Sequence, residues 1–397
     1  MDYIPQINLN LWNLLPMLAI DRIIEQKIVQ RIQAGKVLVL FGARRTGKTF
    51  ILKRIFQNIT EPALFLNGED LAVQRNLANR STAHYRAILG NCRLLFLDEA
   101  QKVPQIGAIL KLMVDEIEGL KIIATGSSAF DMNRQFGEPL TGRKISYRLY
   151  PVAEMEWATQ ENFIQQEVNM RERLVFGSYP ELMHLSGRAE KMEYLNELVS
   201  SYLLKDVLEL EGIRHSGKIM DLLRLVAYQV GSEVSLNELS RQSGMDIKTV
   251  DKYLDLLEQV FVIFRLRGFS LNLRKEVVKS PKFYFYDNGI RNAVISNLNP
   301  LELRNDVGAL WENYMLSERL KYQHYTGMLV NNFFWRTYDQ QEIDWVEERE
   351  GELFAYEMKW GKSYAKTPIA WKSAYPDAHF EVIHPENFRA FIIGTNA

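Results

Sequence analysis

The chain has 397 residues, enough for two or three domains that each bury a core of their own. Lys and Arg number 48 against 49 Asp and Glu, so a net charge of −1 excludes a global basic excess for nucleic acid or anionic membrane. The single Cys92 excludes an intrachain disulfide or a cysteine metal cage, and Leu11 to Ile20 is too short and too broken by Asn13 and Pro16 for a membrane span or signal peptide. A cytoplasmic location without membrane contact is the expectation.

Ile23, Ile24, Ile28 and Ile32 recur at helical spacing, and Val37 to Phe41 then reads as a strand buried on both faces. Similar runs at Ala63 to Leu66, Leu94 to Leu97 and Lys121 to Ala124 alternate with helical stretches, the signature of an α/β domain with a parallel sheet. After Tyr150-Pro151 helical pattern dominates through Leu210. From Leu222 the order is helix, helix, turn, helix and two strand-like runs. Beyond Pro300 a helix precedes alternating strands at Phe333 to Thr337, Ile343 to Val346 and Leu353 to Lys359. The expected division is 1–150, 151–215 as a helical linker, 216–299 and 300–397.

Gly42-Ala43-Arg44-Arg45-Thr46-Gly47-Lys48-Thr49 matches G-x-x-x-x-G-K-[ST] directly after a buried strand and before a helix. Its amide groups would wrap the phosphates of ATP, Lys48 would reach the β- and γ-phosphates, and Thr49 would ligate Mg²⁺. Leu94 to Leu97 delivers Asp98 and Glu99 to the sheet edge where such ligands bind. Asp98 is expected to hold Mg²⁺ through water, with Glu99 as general base. Lys121 to Ala124 ends in Thr125-Gly126-Ser127-Ser128, with Ser127 expected as polar sensor and Thr125 next. Arg143, before a final strand, reads either as a finger completing a neighbouring subunit's site or as a surface ion-pairing arginine.

These residues resemble the bacterial and archaeal AAA-type ATPases that carry a C-terminal domain of unknown function. Further along, the resemblance rests on Phe176-Gly177-Ser178-Tyr179-Pro180, Lys205-Asp206-Val207, Phe283-Tyr284-Phe285-Tyr286-Asp287-Asn288-Gly289 and Ala309-Leu310-Trp311-Glu312-Asn313. Ser178 departs from the family pattern, which usually has a second glycine there. The resemblance covers nearly the whole chain. It implies ATP binding and hydrolysis and supplies no substrate.

Leu236 to Ser240, the turn Gln242 to Met245, and Ile247 to Val260 have helix-turn-helix spacing, with Phe261 to Phe269 and Lys282 to Tyr286 as a β wing. Between Phe261 and Lys282, six basic residues (Arg265, Arg267, Arg274, Lys275, Lys279, Lys282) face one acidic residue, Glu276, a local basic patch able to neutralise phosphates. Lys248, Thr249 and Lys252 are the nucleic-acid-facing candidates, while Asp246, Asp251 and Asp255 would repel a DNA backbone. Packing within the ATPase is the competing role for this element.

In the last module Glu312 on a helix, Asp344, Glu357 and Lys359 stand in an order that resembles the PD-(D/E)XK nuclease core. That restriction-endonuclease-like reading implies a second Mg²⁺ site of Glu312, Asp344 and Glu357 with Lys359 beside it. A cross-strand ion pair on a solvated strand is the alternative. The functional expectation is an ATPase that drives a switch on double-stranded or branched DNA. Its alternative is an ATP-gated regulatory module that binds a protein partner and has an inactive C-terminal domain. A homo-oligomer is expected where Arg143 serves a neighbour.

Overall fold

Strands made almost wholly of Val, Leu, Ile and Phe are stable only between two covering layers, and the N-terminal part is built that way. The computed structural model describes residues 20–127, 140–203, 216–270, 280–361 and 364–394. Helix α1 (Ile23–Arg31) precedes β1 (Val37–Phe41), α2 (Lys48–Asn58), β2 (Ala63–Asn67), α3 (Leu71–Ala78), α4 (Thr82–Leu89), β3 (Leu94–Asp98), α5 (Ile106–Glu116), β4 (Lys121–Gly126) and β5 (Lys144–Arg148). All five strands pair in parallel in the order β2-β3-β4-β1-β5. Alternate residues feed two cores: Leu38, Leu40 and Phe96 pack with Ile51, Leu52 and Ile55, and Val39, Leu95 and Leu97 pack with Ile106, Leu110 and Met113.

The segment expected as a linker is instead a packed part of the molecule. It contains α6 (Glu154–Trp157), α7 (Phe163–Phe176) and α8 (Arg188–Glu197), and Met170, Leu174 and Leu195 are buried in the main core. Glu154 is fully buried and accepts from Arg173 Nε and Nη2 at 2.5 and 3.1 Å. A buried charge survives only when paired in this way.

Next come α9 (Ser216–Tyr228), α10 (Leu236–Ser243), α11 (Ile247–Gln259), β6 (Ile263–Gly268), β7 (Lys282–Phe285) and α12 (Asn288–Val294). Two helices joined by a glycine turn stand over the residues expected as helix, turn, helix. Gly244 adopts φ +64° to end α10, and Asp246 caps α11 by accepting from the Thr249 amide at 3.0 Å. The chain closes with α13 (Val307–Thr326), β8 (Asn331–Arg336), β9 (Glu342–Arg349), β10 (Glu352–Met358), α14 (Ile369–Ala374), β11 (His379–Ile383) and α15 (Phe388–Ile392).

The wing strands do not stand apart from this last module. One six-stranded sheet runs β11-β10-β9-β8-β6-β7, with β8, β9 and β10 antiparallel, β11 parallel to β10, and β6 parallel to β8 through Arg267 and Gly268. The sheet therefore crosses the boundary expected at 299.

The family-like motifs of the C-terminal half meet in one buried polar joint. Asp287 accepts from the Ser178 amide at 2.7 Å, Asn288 donates to Leu174 O and Leu310 O, and Asn313 accepts from the Phe285 amide at 2.7 Å and donates to Asn288. A Cβ on Gly289 would stand 2.0 Å from Phe176 O, so only glycine permits this approach. These motifs are architecture. Lys205-Asp206-Val207 lies outside the described residues. Among the described residues no helix is long and apolar enough to cross a membrane.

Candidate functional site

The loop Gly42 to Thr49 leaves the buried end of β1 and turns into α2. Gly42 passes so close to β5 that a Cβ would lie 2.1 Å from Leu149 O, and Gly47 takes φ +98° at the start of α2. Ala43 and Thr46 are buried, Arg44 is half-buried, and Arg45 is exposed at the tip with φ +63°. Thr46 Oγ1 donates to Ala43 O at 2.8 Å, which tightens the turn. Lys48 points back along the loop, and its ammonium donates to Gly42 O and Ala43 O at 2.7 and 2.8 Å.

Because β4 lies between β1 and β3, the ends of all three strands converge at one edge of the sheet. Asp98 Oδ2 accepts from Thr49 Oγ1 at 2.8 Å, and Asp98 Oδ1 accepts from Thr125 Oγ1 at 2.5 Å. The Glu99 amide donates to Thr125 Oγ1 at 2.9 Å. Glu99 itself sits at φ +49°, and its Oε2 accepts from Gln101 Nε2 at 2.5 Å, while the same amide group reaches Ser127 Oγ at 3.0 Å. Thr125 thus contacts the Asp98 carboxylate and the Glu99 backbone amide directly, and Ser127 reaches the Glu99 carboxylate only through Gln101. Ser128 lies outside the described residues.

A hydroxyl and a carboxylate oxygen facing each other across 2.8 Å are hard oxygen donors, the set that suits Mg²⁺ beside nucleotide phosphates. A loop of this shape, closed by Lys48 and faced by two carboxylates, matches the glycine-rich phosphate cradle in every part. Residues 34–157 match the family model described as an AAA domain. This part of the chain is an AAA-type P-loop ATPase domain. Residues 167–302 and 307–387 match two models described as domains of unknown function, DUF8612 and DUF4143.

The chain is similar to an uncharacterized protein of Mycobacterium tuberculosis, 24% identical over 373 residues, covering 91% of this chain and 79% of the relative. A second, from Methanocaldococcus jannaschii, is 24% identical over 332 residues, covering 77% and 74%. Among solved structures, a Walker-type ATPase of Pyrococcus abyssi covers 70% of this chain and 96% of its own at 15% identity and a TM-score of 0.46. The Thermotoga maritima RuvB Holliday junction branch migration motor covers 58% and 82% at 17% identity and a TM-score of 0.30.

Within the ATPase domain Arg143 sits at the opposite edge of the sheet from its own loop, just before β5, and pairs with Asp115. It therefore has no part in the site of its own subunit.

The basic wing is less available than its composition implies. Arg265 meets three carboxylates of α11: Asp255 at 2.7 Å, Glu258 at 3.2 Å and Asp251 at 3.5 Å. Lys282 is fully buried. Arg267, Lys248 and Lys252 are exposed, and Thr249 Oγ1 donates to Asp246 at 2.6 Å. Arg274, Lys275, Glu276 and Lys279 lie outside the described residues.

The structure gathers Glu312, Asp344, Glu357 and Lys359 into one electrostatic neighbourhood and adds three residues missed in sequence: Lys282, Tyr284 and Glu342. Lys282 bonds Glu342 and lies 3.9 Å from Glu312, whose Oε1 accepts from Tyr284 Oη at 2.6 Å. Asp344 accepts from the Met358 amide at 2.8 Å, and Lys359 donates to Glu357 Oε1 at 2.6 Å. Burial and then the Asp344 charge raise Glu312 to about 8 and Glu357 to about 7, and burial raises Asp344 as well. Burial opposes the Lys282 ammonium, yet Glu312, Asp344 and Glu342 outweigh it and hold its pKa above the ordinary value.

The cluster expected as a second metal site carries a cation of its own. Among the described residues no three His, Cys, Asp or Glu side chains stand in metal-ligating geometry. The positive charge inside the cluster is the ammonium of Lys282, so the residues as arranged do not fit a Mg²⁺ ion. A continuous apolar run, Phe283 to Phe285, directly after Lys282 was the available signal, because a lysine opening a strand buried on both faces needs an acidic partner.

Proposed function

We propose that the chain is an ATP-hydrolysing switch whose C-terminal half is a regulatory module that cleaves nothing. The observation that carries the first part is Asp98 held between Thr49 and Thr125 beside Lys48. Lys48 exchanges the carbonyls of Gly42 and Ala43 for phosphate oxygens, and the loop amides surround them. Thr49 and Asp98 would hold Mg²⁺, which would supply positive charge to the phosphates. Glu99 accepts the proton of the attacking water at its carboxylate, and Gln101 orients that carboxylate. Thr125 fixes the Asp98 carboxylate, with Ser127 supporting Gln101. The second part rests on Lys282, the cation inside the acidic cluster. A nuclease-like fold is supported by the succession of α13, the β8-β9-β10 meander, α14 and parallel β11, but a fold does not carry its chemistry with it.

Turnover of purified protein tests the first part. Lys48→Ala is expected to lose nucleotide binding, and Glu99→Gln to retain ATP without hydrolysing it. Normal turnover by Glu99→Gln would remove its role as base.

An ATPase acting on double-stranded or branched DNA is the second reading, supported by a helix-turn-helix that exposes Lys248 and a strand that exposes Arg267. ATPase rates at low salt with and without duplex separate the two. Stimulation lost in Arg267→Glu, or Mn²⁺-dependent cleavage lost in Asp344→Ala, would put the DNA reading first.

A further inference from the structure

Arg22 precedes α1 and is only 5% exposed, yet its guanidinium touches four separate parts of the chain. Nε donates to Glu156 Oε2 at 3.0 Å, Nη1 to Thr46 O at 2.9 Å, and Nη2 to Tyr150 O at 2.7 Å and to Tyr325 Oη at 3.4 Å. Glu156 is fully buried and also accepts the amides of Ile23 at 3.0 Å and Ala153 at 2.9 Å, so its position is determined independently of Arg22. Tyr325 Oη accepts from the Tyr150 amide at 3.3 Å, and Lys27 donates to Tyr325 O.

The contact with Thr46 O acts on the phosphate loop itself. A trans peptide is planar, and its C=O and N–H point in opposite directions. Drawing the Thr46 carbonyl toward Arg22 therefore turns the Gly47 N–H away from Arg22, and Gly47 accommodates that plane with φ +98°. Lys48 and Thr49 follow immediately, so this one peptide sets the entry into α2. Tyr325 is the last residue but one of α13, which carries Glu312 in its second turn. A planar fork of donors can serve carboxylate, carbonyls and hydroxyl at once, which a lysine ammonium cannot do.

We propose that Arg22 is a positioning residue for the phosphate loop, and that Tyr325 makes its geometry depend on how α13 is docked. Nucleotide affinity and the placement of the C-terminal module are then coupled through one guanidinium, and the coupling acts equally in both directions. The inference rests on the loop binding ATP.

The test uses the full-length chain as wild type, Arg22→Lys, Tyr325→Phe and Lys48→Ala. Affinity for a fluorescent Mg·ATP analogue, KM, kcat and thermal midpoint are measured for each. Arg22→Lys keeps the charge beside Glu156 and is expected to bind nucleotide about tenfold more weakly, the scale of one hydrogen bond to a charged group. Tyr325→Phe, remote from the nucleotide, is expected to raise Kd and KM about threefold with kcat nearly unchanged, because its lost bond is the longer one. A merely structural role would lower the thermal midpoint and leave Kd and KM alone. Folded Arg22→Lys with wild-type Kd overturns the positioning role, and folded Tyr325→Phe with wild-type Kd and KM overturns the coupling. Wild-type protein that binds the analogue no better than Lys48→Ala removes the ATP reading itself.

Discussion

Thr125 holds Asp98 across 2.5 Å while receiving the amide of Glu99 at 2.9 Å, so one hydroxyl on the middle strand fixes both acidic positions of its neighbour. Thr125→Val keeps the shape and removes the hydroxyl. It leaves the Glu99 amide without its partner, and the expected loss is about 1–3 kcal/mol of stability by chemical denaturation. Turnover should fall further than stability explains, since Asp98 and Glu99 both lose their fixed orientation. A variant with wild-type kcat would show that the bond serves folding alone.

Gln101 spans Glu99 and Ser127, at 2.5 and 3.0 Å. Gln101→Ala is expected to lower kcat by about 10-fold, below the ~10²–10⁴ attributed to a general base itself, because the carboxylate remains but is no longer oriented. KM should change little. Steady-state kinetics check this, and a large rise in KM without change in kcat would place Gln101 in nucleotide binding.

Arg143 is paired with Asp115 at the edge of the sheet away from its own loop. Arg143→Ala is expected to bind ATP normally and lose about 10³-fold or more in turnover if subunits share sites. Mixing it with Lys48→Ala should restore part of the rate, since each supplies what the other lacks. Mixtures no faster than the separate variants would leave Arg143 as an ion-pairing residue.

Lys282 is fully buried among Glu312, Glu342 and Asp344. Lys282→Met leaves those carboxylates without their cation, and breaking a buried pair in this way costs about 3–5 kcal/mol. Adding Glu342→Gln, which removes the carboxylate bonded directly to Lys282, should recover part of the loss. Denaturant titration of the single and double variants measures both effects.

The same cluster sets a pH dependence. Glu312 is raised from 4.5 to about 8 and Glu357 from 4.5 to about 7, so the folded chain binds more protons than the unfolded chain between those values. Stability from these groups is fully present below about pH 4.5 and declines as pH rises through about 7 and 8. Glu312→Gln should flatten the upper part of that decline in thermal midpoints taken from pH 5 to 9. An unchanged slope would mean that the carboxylate is not protonated in the folded chain.

The ATPase half was legible because its chemistry is local. Strand, loop and helix follow one another within Val37 to Asn58, and Asp98 and Thr125 are the ends of strands that announce themselves by composition. The two helices around Gly244 were legible for the same reason, through their apolar spacing and the glycine turn between them. What escaped notice depends on distant partners. Arg22 gains its meaning from Thr46, Glu156 and Tyr325, and Arg265 and Lys282 read as surface cations until α11, α13 and β9 fold against them. The segment 151–215 read as a helical linker because buried strands stop after Pro151, and only the fold pairs Glu154 with Arg173 and Glu156 with Arg22 inside. Pairing of β6 with β8 leaves no trace in either strand's own pattern.

That shared ladder has a mechanical consequence. With β6 hydrogen-bonded to β8, a tilt of α10 and α11 would carry the final sheet with it rather than hinge against it. The tyrosine end of α13, where Tyr150, Tyr325 and Arg22 meet, would be the pivot. Glu312 stands about 20 Å along that helix from Tyr325, so a tilt of about 5° would move it by roughly 2 Å. Adjustments of ångström size around a phosphate would then reach the acidic cluster as displacements large enough to remake its hydrogen bonds.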